Sequence, residues 1–350
     1  MFEELRELCH IKPKILITGA TGQVGHEVLK RLTDDKALDV AASSRAPAKA
    51  ADLGVPVVLL DYDRRETIAP ALEGVDRLFI LTAYTVDMLR QSKALVDQAR
   101  KSGVKHIVHL GGCGADDTDV AHYGWHQFVE RYIAGSGIEF THLRPEIFMQ
   151  NLFGYGGVRV VENGVIRHYV GHARLSWIDA EDIAEVAAAV LRDPGTHKGQ
   201  TYRLGYDAKT FDEIAKIFTQ VIGQPFSYEP RPPKEFLEKV LSAGGEPAYM
   251  DCVYDSYRRL SGEGVPGSDE TFDNFTPLPG VSQTPWLTSH ASMQAASNTE
   301  AGAARCCAAS SLERAAQRPA VRRFHSIAWL NIECVANGRM DRNEALSRFG

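Results

Sequence analysis

Apolar residues in the first 150 positions fall into two alternating rhythms. Short runs at 15–18, 38–42, 57–60, 78–81, 106–110 and 140–143 have the length and composition of buried strands. Between them apolar residues recur at helical spacing: Gly25, Val28, Leu29 and Leu32; Ile68 and Leu72; Met88, Ser92, Leu95, Val96 and Ala99. In the segment 123–134 the stripe is read as Phe128, Val129, Tyr132 and Ile133. Strands alternating with helices at this interval predict an α/β fold, a doubly wound parallel sheet with right-handed crossovers. Past the last of these strands, LRPEIFMQNL reads as an apolar loop or helix opening limited by Pro145.

The second half is more helical. Asp179 and Asp182 precede Ile183, Val186, Ala187 and Val190, and Thr210 with Glu213 makes a capping box ahead of Ile214, Ile217, Phe218 and Val221. These acids are read as structural. Phe236, Leu237, Val240 and Leu241 form a last clear stripe, and 248–260 reads as a further helix. From about residue 286 the pattern dissolves into alanine, serine and arginine with an adjacent Cys306-Cys307. Two readings stay open there: a shifted reading frame beginning near 280–290, or a disordered extension.

The first strand runs into three glycines in KILITGATGQVGHEVLKRL. Gly19, Gly22 and Gly25 at GxxGxxG spacing form a turn that delivers the chain into a helix. Free amides at a helix N-terminus, with the helix dipole behind them, favour a phosphate. Gly19 and Gly22 let a pyrophosphate approach the main chain, and Gly25 lets the helix close up. A glycine triplet alone could be a plain bend, but the flanking strand and helix point to dinucleotide binding. The end of the second strand reads AASSRAPAK, with no carboxylate to hold a ribose 2′-hydroxyl. Arg45 and Lys49, beside Ser43 and Ser44, suit a 2′-phosphate instead, so NADPH is expected over NADH. Asp61 and Tyr62 close the third strand, where they can border an adenine. Thr82, Ala83 and Tyr84 stand at the carboxyl end of the fourth, the edge where open α/β sheets bind ligands.

Composition narrows the partners. The chain has 350 residues, 44% hydrophobic, with a formal net charge of -6. That balance leaves no basic face for nucleic acid or an acidic membrane. No apolar run approaches the length of a membrane span, and the leader MFEELRELCHIKP is too acidic and broken for a secretory signal, so a cytoplasmic location is expected. The six cysteines form no CxxC pairs. They are read as free thiols, with neither a metal nor a disulfide framework expected.

GATGQVG, Asp61, Thr82, the GVKHIVHLGG strand and the long stretch HYGWHQFVERYIAGSGIEFTHLRPEIFMQNL together resemble the NmrA-like branch of the atypical short-chain dehydrogenase/reductase superfamily. LSWIDAEDIAEVAAAVL and GQTYRLGYDAKTFDEIAKIFTQVIGQPFSY are similar to it too, in the order found in its triphenylmethane-dye and NADPH-dependent quinone reductases. The resemblance runs from about residue 13 to about residue 286. It implies an NAD(P)-binding Rossmann core at 13–151 and a small, mostly C-terminal α/β substrate lobe at 152–286 interleaved with the core; outside it, 1–12 reads as an N-terminal extension and 287–350 as an atypical tail. It further implies that Gly19, Thr21, Gly22, Gln23 and Val24 hold the pyrophosphate, Arg45 the 2′-phosphate, Asp61 and Tyr62 the adenine edge, and Thr82 to Tyr84 the ribose side. A homodimer is left open.

Most short-chain dehydrogenases pair a tyrosine with a lysine four residues on, which lowers the phenol pKa. Here Tyr123 is followed at that spacing by Gln127, and Gly112-Cys113-Gly114 occupies the position of the catalytic hydroxyl. Alcohol oxidation and sugar epimerisation, which need that relay, are disfavoured. Hydride transfer to a strongly electrophilic quinone or cationic dye does without it, and without a flavin. Tyr84, Tyr123, Phe148, Met149 and Phe153 are the candidates for a wall against such a small aromatic or quinoid substrate, each readable singly as core. His122 and His126 are candidate proton donors or packing residues, and Cys113 is read as a small loop residue. The catalytic candidates are therefore Tyr84, Tyr123 and His126, in an NADPH-dependent reductase. The alternative is a regulatory protein that senses NADPH against NADP.

Overall fold

A computed structural model of the chain describes residues 12–152, 154, 158–272 and 274. The N-terminal extension, Phe153 and the atypical tail lie outside the described residues. In chain order the core runs β1 (Lys14–Ile17), α1 (Gln23–Leu32), β2 (Asp39–Ser44), β3 (Val57–Leu59), α2 (Ile68–Ala71), β4 (Arg77–Leu81), α3 (Met88–Lys101), β5 (His106–Leu110), α4 (Ala121–Gly135) and β6 (Glu139–Pro145). The chain continues through β7 (Ile147–Phe148), β8 (Val161–Glu162), β9 (Val165–His168), β10 (Leu175–Ile178), α5 (Ala180–Arg192), α6 (Pro194–His197) and β11 (Gln200–Leu204). It closes with β12 (Asp207–Lys209), α7 (Phe211–Ile222), β13 (Ser227–Pro230), α8 (Pro233–Ser242) and α9 (Pro247–Ser261).

The main sheet has seven parallel strands in the order β11-β6-β5-β4-β1-β2-β3. Strand order reverses beside β1, so the crevice of this doubly wound fold opens above its carboxyl end, between β1 and β4. One face is covered by α1 and α5, where Val24, Val28, Leu29 and Leu32 meet Ile183, Val186, Ala187 and Val190. The other carries α2, α3 and α4, with Leu95, Val96, Ala99, Val129 and Ile133 joined by Phe236, Val240, Tyr249 and Val253 of α8 and α9. A third apolar cluster, centred on Trp177, Phe211, Ile214 and Phe218, lies under two small sheets, β12-β10-β7 and β13-β9-β8. The capping box is formed in full. The Glu213 amide donates to Thr210 Oγ1 at 3.2 Å, and the Thr210 amide donates to the Glu213 carboxylate at 2.8 Å. Asp179 caps α5 by accepting from the Glu181 amide at 2.7 Å. Among the described residues no helix is long and apolar enough to cross a membrane.

Two local readings differ from the sequence pattern. On α4, Phe128 is 60% exposed and Tyr132 37%, while His126, Gln127, Val129, Glu130 and Ile133 are buried. The helix turns polar residues inward because distant segments meet them there. Gln127 Nε2 donates to the Ala115 carbonyl, and Glu130 is held by Arg144. Strand β6 also runs on to Pro145, whose missing amide is tolerated at a strand end, and the following Ile147 and Phe148 pair in parallel with Trp177 and Ile178 rather than opening a helix.

Candidate active site

The glycine turn sits at the crevice. Gly19 has φ +63°, a conformation natural to glycine, and a Cβ there would lie 3.1 Å from Leu81 Cβ at the end of β4. Its carbonyl accepts from the Gly22 amide at 2.9 Å. A Cβ on Gly25 would lie 2.3 Å from the same carbonyl, so α1 presses directly on the turn. No side chain caps α1, its first turn holds no acidic residue, and the Gln23, Val24 and Gly25 amides find no acceptor among the described residues. Thr21, Gly22 and Gln23 are exposed. Val24 is buried in the core, so it can offer only its amide. This is a bare cradle of donors with a positive dipole end, and a diphosphate fits it on charge and on space. Thr18 supports it from beneath, its hydroxyl accepting from the Leu81 amide at 2.9 Å.

Arg45 and Lys49 are exposed in the segment after β2, and Ser43 is buried. Ser44 is occupied locally, its hydroxyl accepting from the Ala46 amide at 3.1 Å. Asp61 folds its carboxylate onto the Asp63 amide at 3.1 Å. Tyr62 donates its hydroxyl to the Leu81 carbonyl at 3.0 Å, and burial pushes its phenol up to about 12, so it stays neutral while bracing the ends of β3 and β4. Thr82 is half-buried, whereas Ala83 and Tyr84 are exposed, Tyr84 at 64%.

Past the carboxyl ends of β4 and β5, aromatic rings gather at the start of α4. His122 and Tyr123 lie 4.1 Å apart between ring centroids, and Tyr249 of α9 joins Tyr84 at 5.7 Å and His122 at 6.2 Å. Of the sequence candidates for a flat wall, the structure thus brings Tyr84 and Tyr123 to one cluster. Phe148 packs against the core beneath α5, and Met149 is buried in the third apolar cluster. Burial pushes His122 down to about 3 and His126 to about 4. Both are neutral imidazoles at pH 7 and hold no acid proton in that range. His126 backs the loop after β5, 3.1 Å from where a Gly112 Cβ would stand.

Three residues of this region carry no obvious sequence signal. Tyr249 is one of several tyrosines on α9. Arg144 grips Glu130 through two nitrogens, at 3.0 and 2.6 Å, and reaches Asp116 at 2.7 Å, tying β6, α4 and the intervening loop together. Glu146, 5% exposed, pairs with Arg203 of β11 at 3.0 Å. A carboxylate inside the apolar run LRPEIFMQNL was the available clue, because a buried acid needs a partner or a proton. Among the described residues one set of metal-ligating side chains converges: His109, Glu130 and His142, with ligand atoms within 4.8 Å of one another. Arg144 already neutralises that carboxylate, and its positive charge opposes a cation there.

The sequence pattern of the NmrA-like family matches residues 11–263. The NAD(P)H azoreductase of Xenophilus azovorans is 31% identical over 79% of this chain and 98% of its own length. A triphenylmethane reductase of Citrobacter sp., solved with NADP(H), superposes with a TM-score of 0.66 at 29% identity, covering 78% of this chain and 96% of that one. The NADPH-dependent quinone oxidoreductase of Escherichia coli, solved with NADPH, gives 0.64 at 28% identity over 78% and 96%. The family match takes in the glycine turn, the seven-stranded sheet and both small sheets, and the chain belongs to the NmrA-like family.

Proposed function

We propose that the chain is an NADPH-dependent reductase that passes a hydride directly to a flat, electrophilic acceptor of quinone or dye type, without a flavin. The observation that carries the reading is the uncapped, glycine-lined N-terminus of α1 at the crevice, on a chain in which Gln127 rather than a lysine stands four residues after Tyr123. The relatives reported above act with nicotinamide nucleotides on azo compounds, triphenylmethane dyes and quinones, which supports this substrate class. When bound, NADPH supplies the hydride. The amides of Gln23, Val24 and Gly25, with Thr21 and Gly22, hold its diphosphate, Arg45 and Lys49 its 2′-phosphate, and Asp61, Tyr62 and residues 82–84 its adenosine side. Tyr84 and Tyr123 orient the acceptor. Gln127 takes no part in tuning the phenol, since its amide is buried and committed to Ala115.

Loss of NADPH absorbance against quinones, azo dyes, triphenylmethane dyes and simple ketones tests the reading. Turnover of the first three classes by flavin-free protein, and none of ketones, is expected. Tight NADPH binding without turnover of any acceptor would shift the account to NADPH sensing. Arg45→Ala separates the two nucleotides: loss of one exposed charge-assisted contact should weaken NADPH by roughly tenfold and leave NADH within about twofold. Equal losses would remove Arg45 from the 2′-phosphate.

A further inference from the structure

Three buried polar side chains meet beneath the loop after β5 with part of their hydrogen-bonding capacity unused. His109 of β5 and His142 of β6 are register partners in the parallel sheet, so their side chains leave it on the same face. Their rings stand edge to face, with centroids 5.7 Å apart. Glu130 of α4 meets them from the helix layer, and the ligand atoms of the three lie within 4.8 Å of one another. All three are buried, His109 completely. Gly111 closes the top, since a Cβ there would lie 3.2 Å from both Glu130 Oε1 and His109 Cε1.

The hydrogen bonds do not close among these groups. A neutral imidazole carries one N–H that needs an acceptor and one lone pair that can take a donor. Neither ring nitrogen of His109, nor Nδ1 of His142, has a hydrogen-bond partner among the described residues. Glu130 Oε1 accepts from Arg144 Nε at 3.0 Å and keeps a second lone pair. Leaving such groups unpaired in the interior is costly. One bridging molecule, with two hydrogen bonds of about 2.8 Å each, spans the separation. Charge selects the molecule. Arg144 balances Glu130, and burial keeps both imidazoles uncharged at neutral pH. A neutral occupant preserves that balance, whereas a metal ion would add an uncompensated charge beside the guanidinium.

We infer that His109, Glu130 and His142 bind one internal water molecule, which fastens β5, β6 and α4 together under the loop that starts at Gly111. The water accepts from the His109 N–H and donates to Glu130 Oε1, with its second hydrogen directed at His142. Three partners of mixed kind are the usual complement of a buried water. The site needs neither nucleotide nor acceptor. Its part is to hold the floor of the loop that carries Cys113 across the carboxyl edge of the sheet, and Gly111 is the residue that lets this loop lie flat on it.

A high-resolution crystal structure of the full chain without nucleotide tests the assignment directly. One density peak within hydrogen-bonding distance of His109, Glu130 and His142, refining as oxygen and silent at the zinc absorption edge, is the expected result. An anomalous peak with ligand distances of about 2.1 Å overturns it in favour of a metal. A direct hydrogen bond from His109 to Glu130, with no peak between them, overturns it as well. In solution, oxygen-17 relaxation dispersion should count one long-lived water fewer in His109→Phe than in the wild type. His142→Phe should show the same loss and serves if the first variant does not fold. An unchanged count in a folded variant contradicts the assignment. Calorimetry with zinc chloride separates the two occupants: uptake that is equal in wild type and His109→Phe supports water, and uptake lost on that substitution gives the site to a cation.

Discussion

Gly22→Asp should bind neither NADPH nor NADH measurably while melting close to the wild-type temperature. Gly22 is the N-cap of α1, with φ -92° and ψ 173°, and a Cβ there would meet only the Gly19 carbonyl, at 3.3 Å. Aspartate is a favoured residue at that position, because its carboxylate accepts from the first-turn amides and complements the helix dipole. The substitution therefore satisfies the helix with the charge and the contacts that a diphosphate would otherwise supply. Repulsion between a carboxylate and a phosphate about 4 Å apart is worth about 4 kcal/mol at an effective dielectric constant of about 20, or roughly a thousandfold in affinity. Calorimetry for binding and a thermal melt for stability check the two halves together. Unchanged affinity would mean that the nucleotide does not use this helix.

The second large effect concerns stability. Arg144→Ala is expected to cost about 3–5 kcal/mol, since Glu130, whose side chain is 5% exposed, would be left as a buried carboxylate without its cation. The loss extends to the loop between β5 and α4, which the same guanidinium ties down through Asp116. Replacing both partners, Arg144→Met with Glu130→Leu, should recover most of the loss, because two apolar groups of similar volume carry no desolvation penalty. Urea unfolding of Arg144→Met, Glu130→Leu and the double variant closes the cycle, with Arg144→Ala measured beside them. A single-variant cost below about 1 kcal/mol would place the pair among surface ion pairs, which contribute little.

What the sequence reveals depends on how far apart the interacting residues lie. The glycine turn is contiguous, so its strand, its bend and the helix behind it can be read from one stretch, and the parallel sheet follows from the spacing of the apolar runs. The inward face of α4 cannot be read in that way. Phe128 and Tyr132 look like core by type, yet the partners that draw Gln127 and Glu130 inward, the Ala115 carbonyl and Arg144, lie on other segments. Glu146 is harder still, because its cation, Arg203, comes from β11 and is itself held by Glu270 from a further segment. Residues that act through the neighbours folding brings to them leave only a faint trace in the pattern, here a single acid in an apolar run.

The account turns on whether bare amides at the start of α1 hold the diphosphate of a nicotinamide nucleotide. Isothermal titration of NADPH into the purified chain measures this most directly. Saturable uptake of one nucleotide per chain, tighter for NADPH than for NADH, is the result the account predicts, and the absence of saturable heat with either nucleotide would contradict it.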